Sequence, residues 1–322
     1  MVESPPPFTY TAFGLHWHSP DLPLRELPLA EQAGAPESLV TLCDETGTTW
    51  PDLPPGPHDN PTLKMGPMDL RFTVQGKAGF RITGGDRIAW QRHDDTMSDL
   101  EISALALSSG VGAALIQRGL LVLHGNALAK EGRAIVCLGR SGAGKSTLAY
   151  ALMQQGWQLL ADDLVVISAE GRVLPGIPRI QLWQDAAKAF GLDPDSLPRI
   201  RRRVEKFVVM GPSVQRALQP VPLQAFYVIQ ERPPQGSEAD QTAILPIQSQ
   251  KEAALHLRTQ TFQHQFVRGM GMEARHFLST AQLQGRVPMA TLLLPQGIDS
   301  LLHWLERHDL LRAAGRPAHG TA

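Results

Sequence analysis

Cysteine is almost missing from this 322-residue chain, with Cys43 and Cys137 its only two. Two thiols cannot build a disulfide framework, so the fold must rest on its core, and a reducing, cytoplasmic compartment is expected. An excess of charge of one sign is also lacking. Thirty Lys and Arg stand against 31 Asp and Glu, and no global field recruits nucleic acid or an anionic membrane. Long apolar runs are few. Ile102 to Ile116 is the most membrane-like, but Ser108 and Ser109 lie within it and Gln117 and Arg118 close it. It falls short of the roughly 20 residues a span needs, so a buried helix is expected there. The opening MVESPPPFTYTAFG has neither a basic region nor a continuous apolar core, and a secretory signal is not expected. The 43% hydrophobic content is ample for one large domain or two modest ones.

What is abundant is glycine in the middle of the chain. Ala134 to Leu138 is an apolar run of strand length, followed at once by Gly139-Arg140-Ser141-Gly142-Ala143-Gly144-Lys145-Ser146-Thr147, the spacing of a phosphate-binding P-loop. Glycines let successive N–H groups point at phosphate oxygens in conformations closed to residues with a Cβ. A helix from Lys145, with Leu148, Ala151 and Leu152 on one face and Gly156 as its stop, adds the positive end of its dipole. Lys145 supplies a point charge for the terminal phosphates, and the Ser146 hydroxyl a ligand for Mg2+. A nucleoside triphosphate with Mg2+ is the expected ligand.

Trp157 to Ala161 reads as a second strand ending in Asp162-Asp163, with another short strand, Leu164 to Ile167, directly after. An adjacent pair of carboxylates beside phosphates offers one metal partner and one base for an acceptor hydroxyl. The same pair also suits a plain turn between strands. His124, after Leu123, reads on its own as a buried histidine with a core partner.

Gly139 to Ser146, followed by Gly156-Trp-Gln-Leu-Leu-Ala-Asp162-Asp163-Leu-Val-Val-Ile167 and preceded by Leu123-His124-Gly125, resembles the bacterial HPr kinase/phosphorylase family. More loosely, Tyr10 to Leu15 and the Leu-Pro-Gly-x-Pro-Arg-x-x-Leu-Trp phrase at Leu174 to Trp183 are similar to the HPr-kinase-like proteins encoded with ribosomally made lasso peptides. The resemblance implies an α/β P-loop kinase domain of the HPr kinase C-terminal, PEP carboxykinase-like type, preceded by a small β-rich domain. By the same resemblance, Lys145 and Ser146 hold phosphate and Mg2+, Asp162 is the base that takes the acceptor proton, Asp163 assists the metal, and His124 pairs with Asp162. The expected activity is transfer of the γ-phosphoryl group of ATP to a hydroxyl, most simply Ser, of a peptide or small protein such as a lasso-type precursor. A true HPr serine kinase and a regulatory module that hydrolyses ATP slowly are the alternatives, and a homo-oligomer is left open. One departure stands out: the family's metal-binding Glu has no counterpart, since Val173 to Trp183 contains no carboxylate before Asp185. A second metal and the reverse, phosphorylase reaction are therefore not expected.

Around this centre, residues 1–97 read as a β-rich domain and 98–322 as the catalytic one. Phe72 to Val74, Phe80 to Ile82 and Arg87 to Trp90 are expected strands, with Gly84-Gly85-Asp86 as a hairpin turn. Ser98 with Glu101 reads as a capping box on a helix from Asp99 to Arg118. Pro198 to Phe207 is the one basic run: Arg201, Arg202, Arg203 and Lys206 form either a mobile loop that meets phosphate or an acidic acceptor, or a solvated face. His16 and His18 share a strand face without a third ligand nearby, and His303 and His308 point about 140° apart on the last helix, so both pairs read as surface histidines.

Overall fold

In the computed structural model, residues 8–30, 38–74, 76–199, 205–211, 214–230 and 243–315 are described. They fall into two compact units, Met1–Val122 with Phe262–Phe277 and Leu123–Thr261 with Leu278–Ala322. The first unit carries on past the β-rich stretch to Val122.

The first unit is built on a seven-stranded sheet of β1 (Phe8–Ala12), β2 (Leu15–Ser19), β3 (Leu39–Asp44), β4 (Leu63–Gly66), β5 (Asp69–Val74), β6 (Ala78–Thr83) and β7 (Arg87–Arg92), in the order β1-β2-β3-β7-β6-β5-β4. The three expected strands are its β5, β6 and β7, and Gly84 and Gly85 turn between β6 and β7 at φ 64° and 72°. β1 and β2 pair around Phe13-Gly14, both at positive φ, so the Phe-Gly of the opening phrase is the tight turn of a hairpin. His16 and His18 lie half-buried on one face of β2, and no cluster of three metal-type side chains occurs among the described residues.

The apolar helical stretch follows. Ser98 caps α1 (Asp99–Leu105) with the full capping box, a π-helical turn spans Ala106–Gly110, and α2 (Val111–Gln117) continues it. By length and composition Asp99–Gln117 could cross a membrane, but it belongs to the core of this unit. Gly110 lies against Ile88 and Gly112 against Phe262, where a Cβ would come within 3.2 and 2.3 Å. Gln117 clamps the β6–β7 hairpin, donating to Ile82 O (3.0 Å) and accepting from Gly85 N (2.8 Å). This packing is why the helix counts with the first unit.

The second unit contains most of β8 (Leu121–Lys130), then β9 (Arg133–Leu138), α3 (Lys145–Gln154), β10 (Gln158–Ile167), β11 (Arg172–Leu174), β12 (Arg179–Trp183), α4 (Gln184–Ala189), β13 (Lys206–Met210), β14 (Val221–Ile229) and β15 (Ala243–Pro246). α5 (Gln250–Thr259) follows; α6 (His264–Gly269) and the start of α7 (Glu273–Gln284) belong to the first unit, and β16 (Met289–Leu293) and α8 (Ile298–Arg307) complete the second. Its main sheet runs β11-β10-β8-β9-β14-β16-β15, β11 also pairs with β14, and β12 and β13 form a separate ribbon. β9, β14 and β16 are parallel neighbours, buried on both faces as such strands require. Ile135 and Cys137 pack with Leu148 and Leu152 of α3, Tyr227 of β14, and Leu301, Trp304 and Leu305 of α8. That core fixes the end of β9 and the start of α3, the two ends of the glycine loop.

One expectation is corrected here. The Asp pair is not a turn between two strands: β10 runs unbroken from Gln158 to Ile167 with both carboxylates in its middle.

Candidate active site

The loop between β9 and α3 has the backbone its glycines permit. Gly139, Gly142 and Gly144 sit at φ 144°, 86° and 99°. At Gly139 the reason is also steric, since a Cβ would lie 2.6 Å from the Ile229 carbonyl oxygen of β14. Gly144 is the left-handed N-cap of α3 and offers no capping side chain, so nothing competes for the first-turn N–H groups. Lys145 is buried at 8% exposure, and its ammonium donates to the carbonyls of Gly139 (2.7 Å) and Arg140 (3.0 Å). Burial lowers its pKa, against the pull of Asp162 and Asp163.

Successive residues of a strand face opposite ways, yet Asp162 and Asp163 line one cavity. The break in alternation lies at Asp163, whose φ of 72° is left-handed. Asp tolerates that conformation better than most residues. Asp162 is 6% exposed. Its Oδ2 accepts from the Gln181 N–H (2.7 Å), and its Oδ1 accepts from the Asn126 amide and, at 3.5 Å, from the Ser146 hydroxyl. Burial pushes its carboxyl up to about 6, with Lys206 the strongest opposing influence.

His124 does not pair with Asp162. Its Nδ1 lies 3.1 Å from Asp163 Oδ1, because the left-handed turn swings that carboxylate out of the line of Asp162. Burial acts to raise the Asp163 pKa, but the His124 hydrogen bond and charge, with Lys206 and Lys145, outweigh it and hold the group below the ordinary carboxylate range. Two adjacent carboxyls are thus driven apart, one towards neutrality and one kept ionised, the usual basis for dividing proton and charge roles between them.

These groups surround a cavity of about 770 Å³. Of the residues singled out in the sequence, His124, Ser141, Gly142, Gly144, Lys145, Ser146, Thr147, Asp162, Asp163 and Lys206 line it, whereas Gly139, Arg140 and Ala143 shape the loop without reaching its wall. Lys206 is not part of a loop: it opens β13, opposite Trp183 in the β12–β13 ribbon. Arg201, Arg202 and Arg203 lie outside the described residues. Sequence reasoning missed Asn126, the Gln181 backbone donor, and the wall of Trp183, Asp185 and Glu205. Asn126 carried a signal, being two residues from His124 on a strand and so on its face.

The donor set suits a hard divalent cation. Ser146 Oγ and the two carboxylates offer oxygen alone, and the buried Asn126 Oδ1 has no hydrogen-bond partner among the described residues. An incomplete oxygen set matches Mg2+, which keeps waters and substrate phosphates in its shell.

No protein-family model and no curated protein matches the chain. Among solved structures it is similar to the Hpr(Ser) kinase/phosphatase from Coxiella burnetii, at 14% identity and a TM-score of 0.25, over 58% of this chain and 95% of that one. The chemistry of the site stands on its own geometry.

Proposed function

We propose that the chain is an ATP-dependent phosphotransferase that moves the γ-phosphoryl group to a hydroxyl, most simply a Ser of a peptide or small protein. The observation that carries this reading is the convergence, in one cavity, of an uncapped glycine loop with Lys145 and Ser146 and a buried carboxyl, Asp162, tuned to about 6. The loop amides and the start of α3 bind the phosphates as a P-loop, and Lys145 turns from the Gly139 and Arg140 carbonyls to the terminal phosphate. Ser146 and Asp163 would hold Mg2+, which when bound neutralises charge on the phosphates. Asp163 suits that task because it stays ionised, steadied by His124. Asp162 suits the proton: a carboxyl near 6 is ionised at neutral pH yet basic enough to take hydrogen from the acceptor hydroxyl as it attacks. Trp183 and Lys206 form the wall on which an acceptor segment would rest. A ribosomally made precursor of the lasso type is the acceptor that the sequence resemblance favours.

The test is incubation with labelled ATP, Mg2+ and such a peptide, locating phosphate by mass spectrometry. Transfer is expected for the wild type and should be nearly abolished in Lys145→Ala, which lacks the charge that meets the terminal phosphates. ADP release with no phosphorylated acceptor would favour the slow regulatory ATPase instead. Full activity in Lys145→Ala would end the reading altogether.

A further inference from the structure

Asn126 is fully buried on β8 and lines the cavity. Its Nδ2 donates to Asp162 Oδ1. That contact sets the orientation of the amide, since its oxygen turned towards the carboxylate would meet like charge. The oxygen therefore points away from Asp162, and it finds no donor among the described residues. A buried carbonyl left without a partner carries its full desolvation cost, and folded proteins keep few of them. Asp162 Oδ1, to which this amide is tied, also accepts from the Ser146 hydroxyl at 3.5 Å.

We infer that Asn126 Oδ1 is an oxygen of the divalent-cation shell, beside Ser146 Oγ and Asp163. Triphosphate oxygens can supply no hydrogen to this atom, so phosphate itself is not its partner. A bare cation, held about 2.1 Å from its oxygens, can approach an atom that is closed to a water molecule. Asn126 then does two things through one planar group: its oxygen faces the cation and its N–H holds the base. Drawing charge from Oδ1 makes Nδ2 a better donor, so cation binding tightens the hold on Asp162. Neutral Asn adds an oxygen without adding a third negative charge beside Asp162 and Asp163.

This inference rests on the nucleotide-binding reading, and the experiment separates the two. Mn2+ affinity would be followed by electron paramagnetic resonance at saturating ADP, in wild type, Ser146→Ala, Asn126→Leu and Asn126→Asp, with ADP binding in EDTA as a check on each fold. Asn126→Leu should bind Mn2+ about tenfold or more weakly while keeping metal-free ADP binding. Asn126→Asp, which retains the oxygen and loses the N–H, should bind Mn2+ at least as tightly as wild type. Two results would overturn the inference with the parent reading intact: unchanged Mn2+ affinity in Asn126→Leu where Ser146→Ala is weakened, or equal losses in the Leu and Asp variants. Should Asn126→Leu not fold, the smaller Asn126→Ala is read in its place, with the same loss expected and the same unchanged affinity overturning the inference. Failure of wild type to bind ADP would strike the parent reading.

Discussion

Replacing Asp162 by Asn should make the protein more stable as it makes it less active. The folded-state carboxyl is pushed from 3.8 up to about 6, first of all by burial. A raised carboxyl binds its proton more tightly folded than unfolded. Its favourable contribution is fully present below the unfolded value and is lost as pH rises through about 6. Well above that, ionised Asp162 destabilises the fold by about two pKa units, or roughly 3 kcal/mol at 1.36 kcal/mol each. Asn has the same shape and no charge. The Gln181 N–H still finds an oxygen, and the Asn126 amide can turn so that its unpartnered Oδ1 accepts from the new NH2. Urea denaturation in EDTA, without nucleotide, would compare the variant with wild type across pH. Its gain should rise from about 1 kcal/mol at pH 4.5 to about 3 kcal/mol at pH 8. A gain independent of pH, or a loss at pH 8, would show that Asp162 is not the burial-strained group the structure describes.

The electrostatic pairing of Lys206 with the carboxyls gives a second outcome. Lys206→Met removes the strongest opposition to the rise of Asp162, so the acid limb of the transfer rate should move to higher pH; an unmoved limb would detach Lys206 from the base. Gly139→Ala must both hold φ 144° with a side chain and push a Cβ to 2.6 Å from Ile229 O. It should lower the unfolding free energy by about 1–3 kcal/mol in urea denaturation, whereas wild-type stability would mean that the loop and β14 part easily. Finally, phosphorylated product mixed with inorganic phosphate should release no pyrophosphate, since the segment Leu174 to Arg179 carries no acid. Pyrophosphate in that mixture would restore the reverse reaction.

Features carried by contiguous residues were legible in the chain. The run from Ala134 to Gly156 holds its strand, its left-handed glycines and its helix within one stretch, and the Ser98 capping box is complete within four residues. Glycine spacing and cap chemistry act over such distances, and they survived folding unchanged. Short strands with mixed polarity did not announce themselves: β1, β2, β3 and β4 are held by pairing across the first sheet more than by their own propensity. Tertiary structure alone decided the site's second half. Asn126 comes to Asp162 from β8, the Gln181 N–H from β12 and Lys206 from β13, and the left-handed Asp163, not the order of residues, gives His124 its partner. The pKa of Asp162 was equally unreadable in the chain, because it follows from how much protein closes over one carboxyl, and burial is a property of the packed whole.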